Sequence, residues 1–136
     1  MAKLHLEIVT PEKRAYSDDV DGVVIPGVEG ELGILPGHTP LLTMVKPGEL
    51  KVNKGGHVDL LVVGDGFVEV TGTTVTLLTD LAVTEAQIDE GKVEEALQRA
   101  EQALAAAKHE PDQAAVLMAT IRKSVAQLNL KRRKRG

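Results

Sequence analysis

The 136-residue chain changes character at one point, and that change limits the fold more than any other feature. Residues 1–84 hold 11 of the 13 glycines, five of the six prolines and three alanines; residues 85–136 hold two glycines, one proline and 11 alanines. Glycine and proline punctuate the turns between short strands, whereas alanine has the highest helix propensity. The expected architecture is therefore α+β in two segments. An all-β sandwich or flattened barrel occupies 1–84, and an antiparallel two-helix hairpin occupies 85–136.

The strand signals are short and closely spaced. Leu4, Leu6 and Ile8 alternate with His5, Glu7 and Val9, a half-buried strand that Thr10-Pro11 ends. Further runs lie at 20–25, 31–35, 41–45, 50–52, 60–63, 67–70 and 75–78, with Lys54-Gly55-Gly56-His57 as a hairpin turn. No helical pattern interrupts them, which argues against a doubly wound α/β sheet. Beyond residue 85 the period changes. Val93, Leu97, Ala100, Leu104 and Ala107 mark one helix, with Asp89 as its N-cap and Glu90, Glu94 and Glu95 at its positive end. Glu110-Pro111-Asp112 breaks the pattern, and Asp112 is placed to cap a second helix carrying Ala114, Leu117, Ile121, Val125 and Leu128. At ~18 residues each, the helices would be ~27 Å long. Residues 85–120 carry eight acidic and three basic side chains, whereas 121–136 carry seven basic and no acidic ones. An antiparallel hairpin sets the +7 end of the second helix beside the acidic start of the first.

Composition removes several classes of function. There is no cysteine, so no disulfide scaffold, thiolate metal site or cysteine nucleophile. Tyr16 and Phe67 are the only aromatic side chains and the net charge is −4, which disfavours a nucleic-acid platform. No apolar run approaches the ~20 residues of a membrane span, and the first residues lack a secretory apolar core. A cytosolic chain with no direct membrane insertion is expected. The four histidines, His5, His38, His57 and His109, fall in no metal-ligand spacing, and Ser17 and Ser124 lack a nucleophile-elbow context. Gly30-Glu31-Leu32-Gly33 has no lysine to complete a phosphate loop. No catalytic residue, metal or tightly bound cofactor is expected.

Two features stand out. The basic end Lys131-Arg132-Arg133-Lys134-Arg135 suits either solvent or an acidic protein surface. The stretch from Gly30 to Leu42, GELGILPGHTPLL, reads as a short strand, a Pro-Gly turn presenting His38, and a second strand after Pro40. A carboxylate and an imidazole near such a corner can hydrogen-bond a partner.

Those thirteen residues resemble the signature of the epsilon subunit of F-type ATP synthases (delta in mitochondrial naming). The opening Leu6-Glu7-Ile8-Val9-Thr10-Pro11-Glu12 is similar to that family's first strand and turn. Gly64-Asp65-Gly66-Phe67-Val68-Glu69-Val70 is similar to its Gly-Gly-Phe-x-Glu-Val strand, with Asp65 replacing a glycine, and Val75 to Asp80 to its last strand. The resemblance spans the whole chain. It implies a sandwich of about ten strands and a non-catalytic rotor subunit that couples c-ring rotation, through gamma, to ATP synthesis. Its partners would be gamma, the c-ring and, when the helices extend, the alpha and beta subunits. Its place would be peripheral, on the cytoplasmic face of the bacterial membrane. By motif, Glu31, Gly37, His38 and Thr39 would meet the c-ring. Extended helices would inhibit ATP hydrolysis, with Arg122, Lys123, Lys131, Arg132, Arg133, Lys134 and Arg135 docking on acidic loops of beta. Some family members bind ATP through a motif resembling Ile-Asp-x-x-Arg-Ala. Here it reads Ile88-Asp89-Glu90-Gly91-Lys92-Val93, so Asp89, Lys92, Arg99 and Arg122 would form at most a weak regulatory ATP site. The contrasting expectation is an independent β-sandwich interaction module whose hairpin recruits a partner.

Overall fold

A computed structural model describes residues 3–107 and 110–135, excluding the side chain of Arg135. Ten strands come first: β1 (Leu4–Val9), β2 (Arg14–Val20), β3 (Gly22–Gly27), β4 (Gly30–Ile34), β5 (Leu41–Val45), β6 (Gly48–Lys54), β7 (His57–Val63), β8 (Gly66–Val70), β9 (Thr74–Thr79) and β10 (Ala82–Thr84). A single 3₁₀ turn (Glu85–Gln87) leads into α1 (Glu90–Ala106) and α2 (Pro111–Arg135).

The strands hydrogen-bond in the order β10-β7-β6-β3-β5-β8-β9-β1-β2, with β4 beside β3. Pairing is antiparallel except between β1 and β9. This path wraps around one apolar interior. Leu4, Leu6 and Ile8 point inward from β1, against Val23 and Ile25, Leu50 and Val52, Val68 and Val70, and Val75 and Leu77 from other strands. The alternation in each strand follows from the pleat, which turns successive side chains to opposite faces. β2, one end of the path, turns back against β6, third from the other end, so that the sheet nearly closes into a barrel. The Asp21 amide donates to the Asn53 carbonyl at 2.8 Å, and Lys54 pairs with Asp18.

Eight of these strands coincide with apolar runs in the sequence. The run at 20–25 is divided by Asp21, so that Val20 closes β2 and Gly22 opens β3. β2, Arg-Ala-Tyr-Ser-Asp-Asp-Val, has no apolar alternation because it lies at the edge of the path, bonded only to β1. β10 is three residues long, too short for a period to show.

Asp89 caps α1 as expected, its Oδ1 accepting from the Lys92 amide at 3.1 Å. Asp112 does not cap α2. That helix begins at Pro111, whose missing N–H costs nothing in a first turn, and Asp112 lies within the turn. α2 is 25 residues long, hence ~37 Å rather than ~27 Å, and stays helical through the basic end. Val125, assigned by its spacing to a buried face, is exposed, while Ser124, Leu128 and Leu130 are buried. The helix has two partners rather than one. Leu130 leaves the hairpin stripe to pack with Val62 of β7 and Ile88, in a cluster joined by Leu60, Leu81, Val83, Val93 and Ala126. The hairpin therefore lies folded down on the sandwich.

Gly66 marks where close packing is set by backbone. A Cβ there would lie 1.9 Å from the Leu78 carbonyl oxygen and 2.8 Å from the Thr79 Cα, neither of which can swing away. Gly33, by contrast, has nothing within 4 Å of a built Cβ. Urea denaturation should show Gly66→Ala losing at least about 1–3 kcal/mol, with Gly33→Ala neutral or slightly stabilising.

Candidate functional site

The Gly30–Leu42 stretch forms β4 and the loop after it, and the structure spreads its polar groups rather than gathering them. Glu31 sits opposite Pro26 near the start of β4, exposed. Gly37, with φ of +85°, donates its amide to the Gly72 carbonyl at 2.8 Å, tying the loop to the β8–β9 turn. The His38 amide donates to the Leu35 carbonyl at 3.1 Å. Its ring Nδ1 lies 2.7 Å from the Thr39 carbonyl, which can only accept. The Nδ1 therefore carries a proton, leaving Nε2 free to accept in the neutral ring. Glu31 and His38 thus flank β4 from its two ends, while Thr39 is exposed in the loop. Together they make an edge of separate polar groups with no enclosed pocket.

A second surface was not assigned from the sequence. Met44 of β5 registers with Phe67 of β8, Phe67 with Leu78 of β9, and Leu78 with Val9 of β1. Met44, Phe67 and Leu78 are 53%, 52% and 51% exposed, and Leu42 is 70% exposed two residues along β5. An outward apolar row thus crosses four neighbouring strands. The signal was present as apolar doublets, Leu41-Leu42, Met44-Val45, Phe67-Val68 and Leu77-Leu78. In a pleated strand, a doublet puts one apolar side chain on each face.

The third surface is the seat of α2. The helix forms one wall of a groove of about 890 Å³, facing Pro26, Glu31, Lys46, Lys51 and Leu60 across it. At its far end, Arg133 grips Glu49 of β6 with both terminal guanidinium nitrogens, Nη2 at 2.5 Å and Nη1 at 3.1 Å. Arg132 pairs with Glu90 at 2.8 Å and Glu94 at 3.3 Å, both on α1. Lys131 reaches Glu85 in the 3₁₀ turn at 3.3 Å, and Lys123 reaches Asp80 at 3.1 Å. The Glu49 carboxylate raises Arg133 above its ordinary value, as Glu90 does Arg132. Lys123, Lys131, Arg132 and Arg133 are therefore already paired within the chain. Arg122 lines the groove, and Lys134 lines a smaller cleft with Tyr16 and Asp59. Arg135 has its side chain outside the described residues.

The four residues expected to hold ATP occupy two helices. Asp89 is engaged as the α1 cap, Lys92 and Arg99 are exposed on α1, and Arg122 opens into the groove, which none of the other three lines. Among the described residues no group of three or more His, Asp or Glu is placed to hold a metal ion. No helix among them is long and apolar enough to cross a membrane.

The family description "ATP synthase, Delta/Epsilon chain, beta-sandwich domain" matches residues 3–85. An ATP synthase epsilon chain of Desulforamulus reducens is 49% identical over 105 residues, spanning 76% of this chain and 80% of its own length. One from Dehalococcoides mccartyi is 43% identical over 136 residues, spanning 99% and 96%. Among solved structures, a chain in the Euglena gracilis mitochondrial ATP synthase (OSCP, F1 and c-ring) superposes with a TM-score of 0.74 at 26% identity, covering 95% of this chain and 81% of that one. These matches define the class, an accessory subunit of a larger assembly. The chain belongs to the delta/epsilon family of ATP synthases, non-catalytic stalk subunits of the complex.

One titratable cluster lies on the sandwich surface. His5 Nδ1 is 2.9 Å from Asp19 and Nε2 is 3.4 Å from Glu7. Hydrogen bonds to Asp19 and then Glu7 raise the imidazole above its ordinary 6.5. A raised value means the protonated ring favours the folded state. That contribution is complete below about pH 6.5, while the carboxylates remain ionised, and fades as pH climbs through the raised value. Comparing urea midpoints of the parent and His5→Gln across pH 5–9 should show a gap at pH 6 that closes by pH 9.

Proposed function

We propose that this chain is a rotor subunit of the central stalk, coupling c-ring rotation through gamma to ATP synthesis and restraining ATP hydrolysis with its C-terminal helices. The observation that carries the reading is the apolar row Met44, Phe67 and Leu78, exposed beside the half-buried Val9 on a sheet whose opposite face already fills the core. Water-exposed apolar area on this scale favours a protein partner, and gamma is the partner that membership of the family supplies. The separate polar groups of the β4 edge, Glu31 and the His38 loop with Gly37 and Thr39, suit the polar loops of a c-ring. The chain then sits peripherally on the cytoplasmic face of a bacterial membrane, held through the ring.

The inhibitory reading rests on α2. Its basic end is helical, ~37 Å from the hairpin bend, and bonded here to the chain's own carboxylates. Released, Arg122, Lys123, Lys131, Arg132, Arg133, Lys134 and Arg135 present seven positive charges to acidic loops of beta.

Two measurements test these parts separately. Met44→Asp with Phe67→Asp should weaken binding to purified gamma by about 2 kcal/mol or more, roughly thirtyfold, while leaving the fold intact by circular dichroism. Unchanged affinity would move the gamma contact elsewhere. Replacing Lys131, Arg132, Arg133, Lys134 and Arg135 with glutamine should raise ATP hydrolysis by the assembled complex several-fold. An unchanged rate would remove the electrostatic docking.

A further inference from the structure

Apart from Lys131, which pairs with Glu85 in the linking 3₁₀ turn, the ion pairs of α2 fall into two kinds that differ in what breaks them. Arg132 pairs with Glu90 and Glu94 of α1, so that link travels with the hairpin and breaks only when the two helices part. Arg133 pairs with Glu49 of β6 and Lys123 with Asp80 of the β9–β10 corner, so those links break when the hairpin leaves the sandwich, whether or not it opens. The Arg133–Glu49 contact is the only two-pronged one among the described residues, and Glu49 is 22% exposed. A planar guanidinium on a carboxylate in that geometry is stronger and more directional than a lysine contact. Glu49 also flanks the groove under α2, where Lys46, Lys51 and Arg122 supply further positive charge. When α2 undocks, Arg122 and Arg133 depart together, and Lys46 and Lys51 are the cations left on the groove with Glu49 and Glu31.

We propose that Glu49 is the latch for the docked hairpin: its pair with Arg133 gates undocking of α2 from the sandwich, as a step separate from the opening of the hairpin held by Arg132. The latch and any acidic partner surface use the same guanidinium, so the two contacts exclude each other. Undocking must also uncover Val62, fully buried under Leu130, so the step has a local reporter. The latch is a property of the chain alone and does not rest on the inhibitory reading.

The parent has no cysteine, so Val62→Cys places a single thiol beneath α2. Its reaction with a neutral thiol reagent proceeds in proportion to the undocked population, however small that is. In the full-length chain, adding Glu49→Gln should speed labelling about fivefold at low salt, and the difference should vanish near 1 M salt. Exchanging the charges, Glu49→Arg with Arg133→Glu, should restore most of the slow rate. Glu94→Gln should leave labelling unchanged, because its bond lies within the hairpin. Ala126→Cys reports the same event from the helix side, should Val62→Cys disturb the fold. Equal rates with and without Glu49→Gln would overturn the latch. So would an increase that persists at high salt, or an equal increase from Glu94→Gln. In the assembled complex, Glu49→Gln should lower hydrolysis by freeing the helix. Faster labelling with unchanged hydrolysis would keep the latch and remove the inhibitory reading instead.

Discussion

The folded-down position of the helical part depends on how α2 meets the sandwich. Leu130 is fully buried against Val62 and Ile88, a contribution of about 1.5–3 kcal/mol for one such side chain. Around it lie ion pairs at the surface, each worth about 0.2–1 kcal/mol and weakened by salt. The sandwich is held very differently, by an interior drawn from nearly every strand and a hydrogen-bonded path that almost closes on itself. Loss of the docking contacts therefore leaves the β part intact. The same imbalance makes the docking of α2 the weaker of the two sets of contacts.

The sandwich resolves a second problem with the same alternation that builds its core. β5, β8 and β9 each place one apolar set inward and another outward. An outward set weakens an isolated chain in water and strengthens one that is covered by a neighbour. The β4 edge is its polar counterpart, with Glu31 and the His38 loop at its two ends. One framework thus carries an apolar face, a polar edge and a lightly docked pair of helices.

Much of the fold is legible in the sequence, for physical reasons. Inward alternation at Leu4, Leu6 and Ile8, and the glycine-to-alanine change near residue 84, are local patterns that require no partner to interpret. The meeting of the acidic start of α1 with the basic end of α2 was readable from charge alone, and Arg132 on Glu90 and Glu94 realises it. What was not legible depends on contacts between distant residues. β2 is polar because it is an edge, and being an edge is a property of the sheet. Leu130 lies off the stripe defined by Ala114, Leu117, Ile121 and Leu128, because α2 has a second partner that a hairpin alone does not predict. Val125 shows the converse, an apolar residue at the right spacing that faces outward. Of the candidate site residues, Glu31 lies within β4 and His38 in the loop after it. The bond from Arg133 to Glu49 joins residues 84 positions apart and left no trace in the local pattern.

The central claim is that a coupling body and a regulatory arm are joined at the 3₁₀ turn after Thr84. The most direct measurement is ATP hydrolysis by the purified complex carrying either the full chain or one ending at Thr84, with assembly and proton or sodium coupling assayed alongside. The account predicts that the shortened chain assembles and supports coupled rotation while hydrolysis rises. Equal hydrolysis with both chains, or failure of the shortened chain to join the complex, would contradict it.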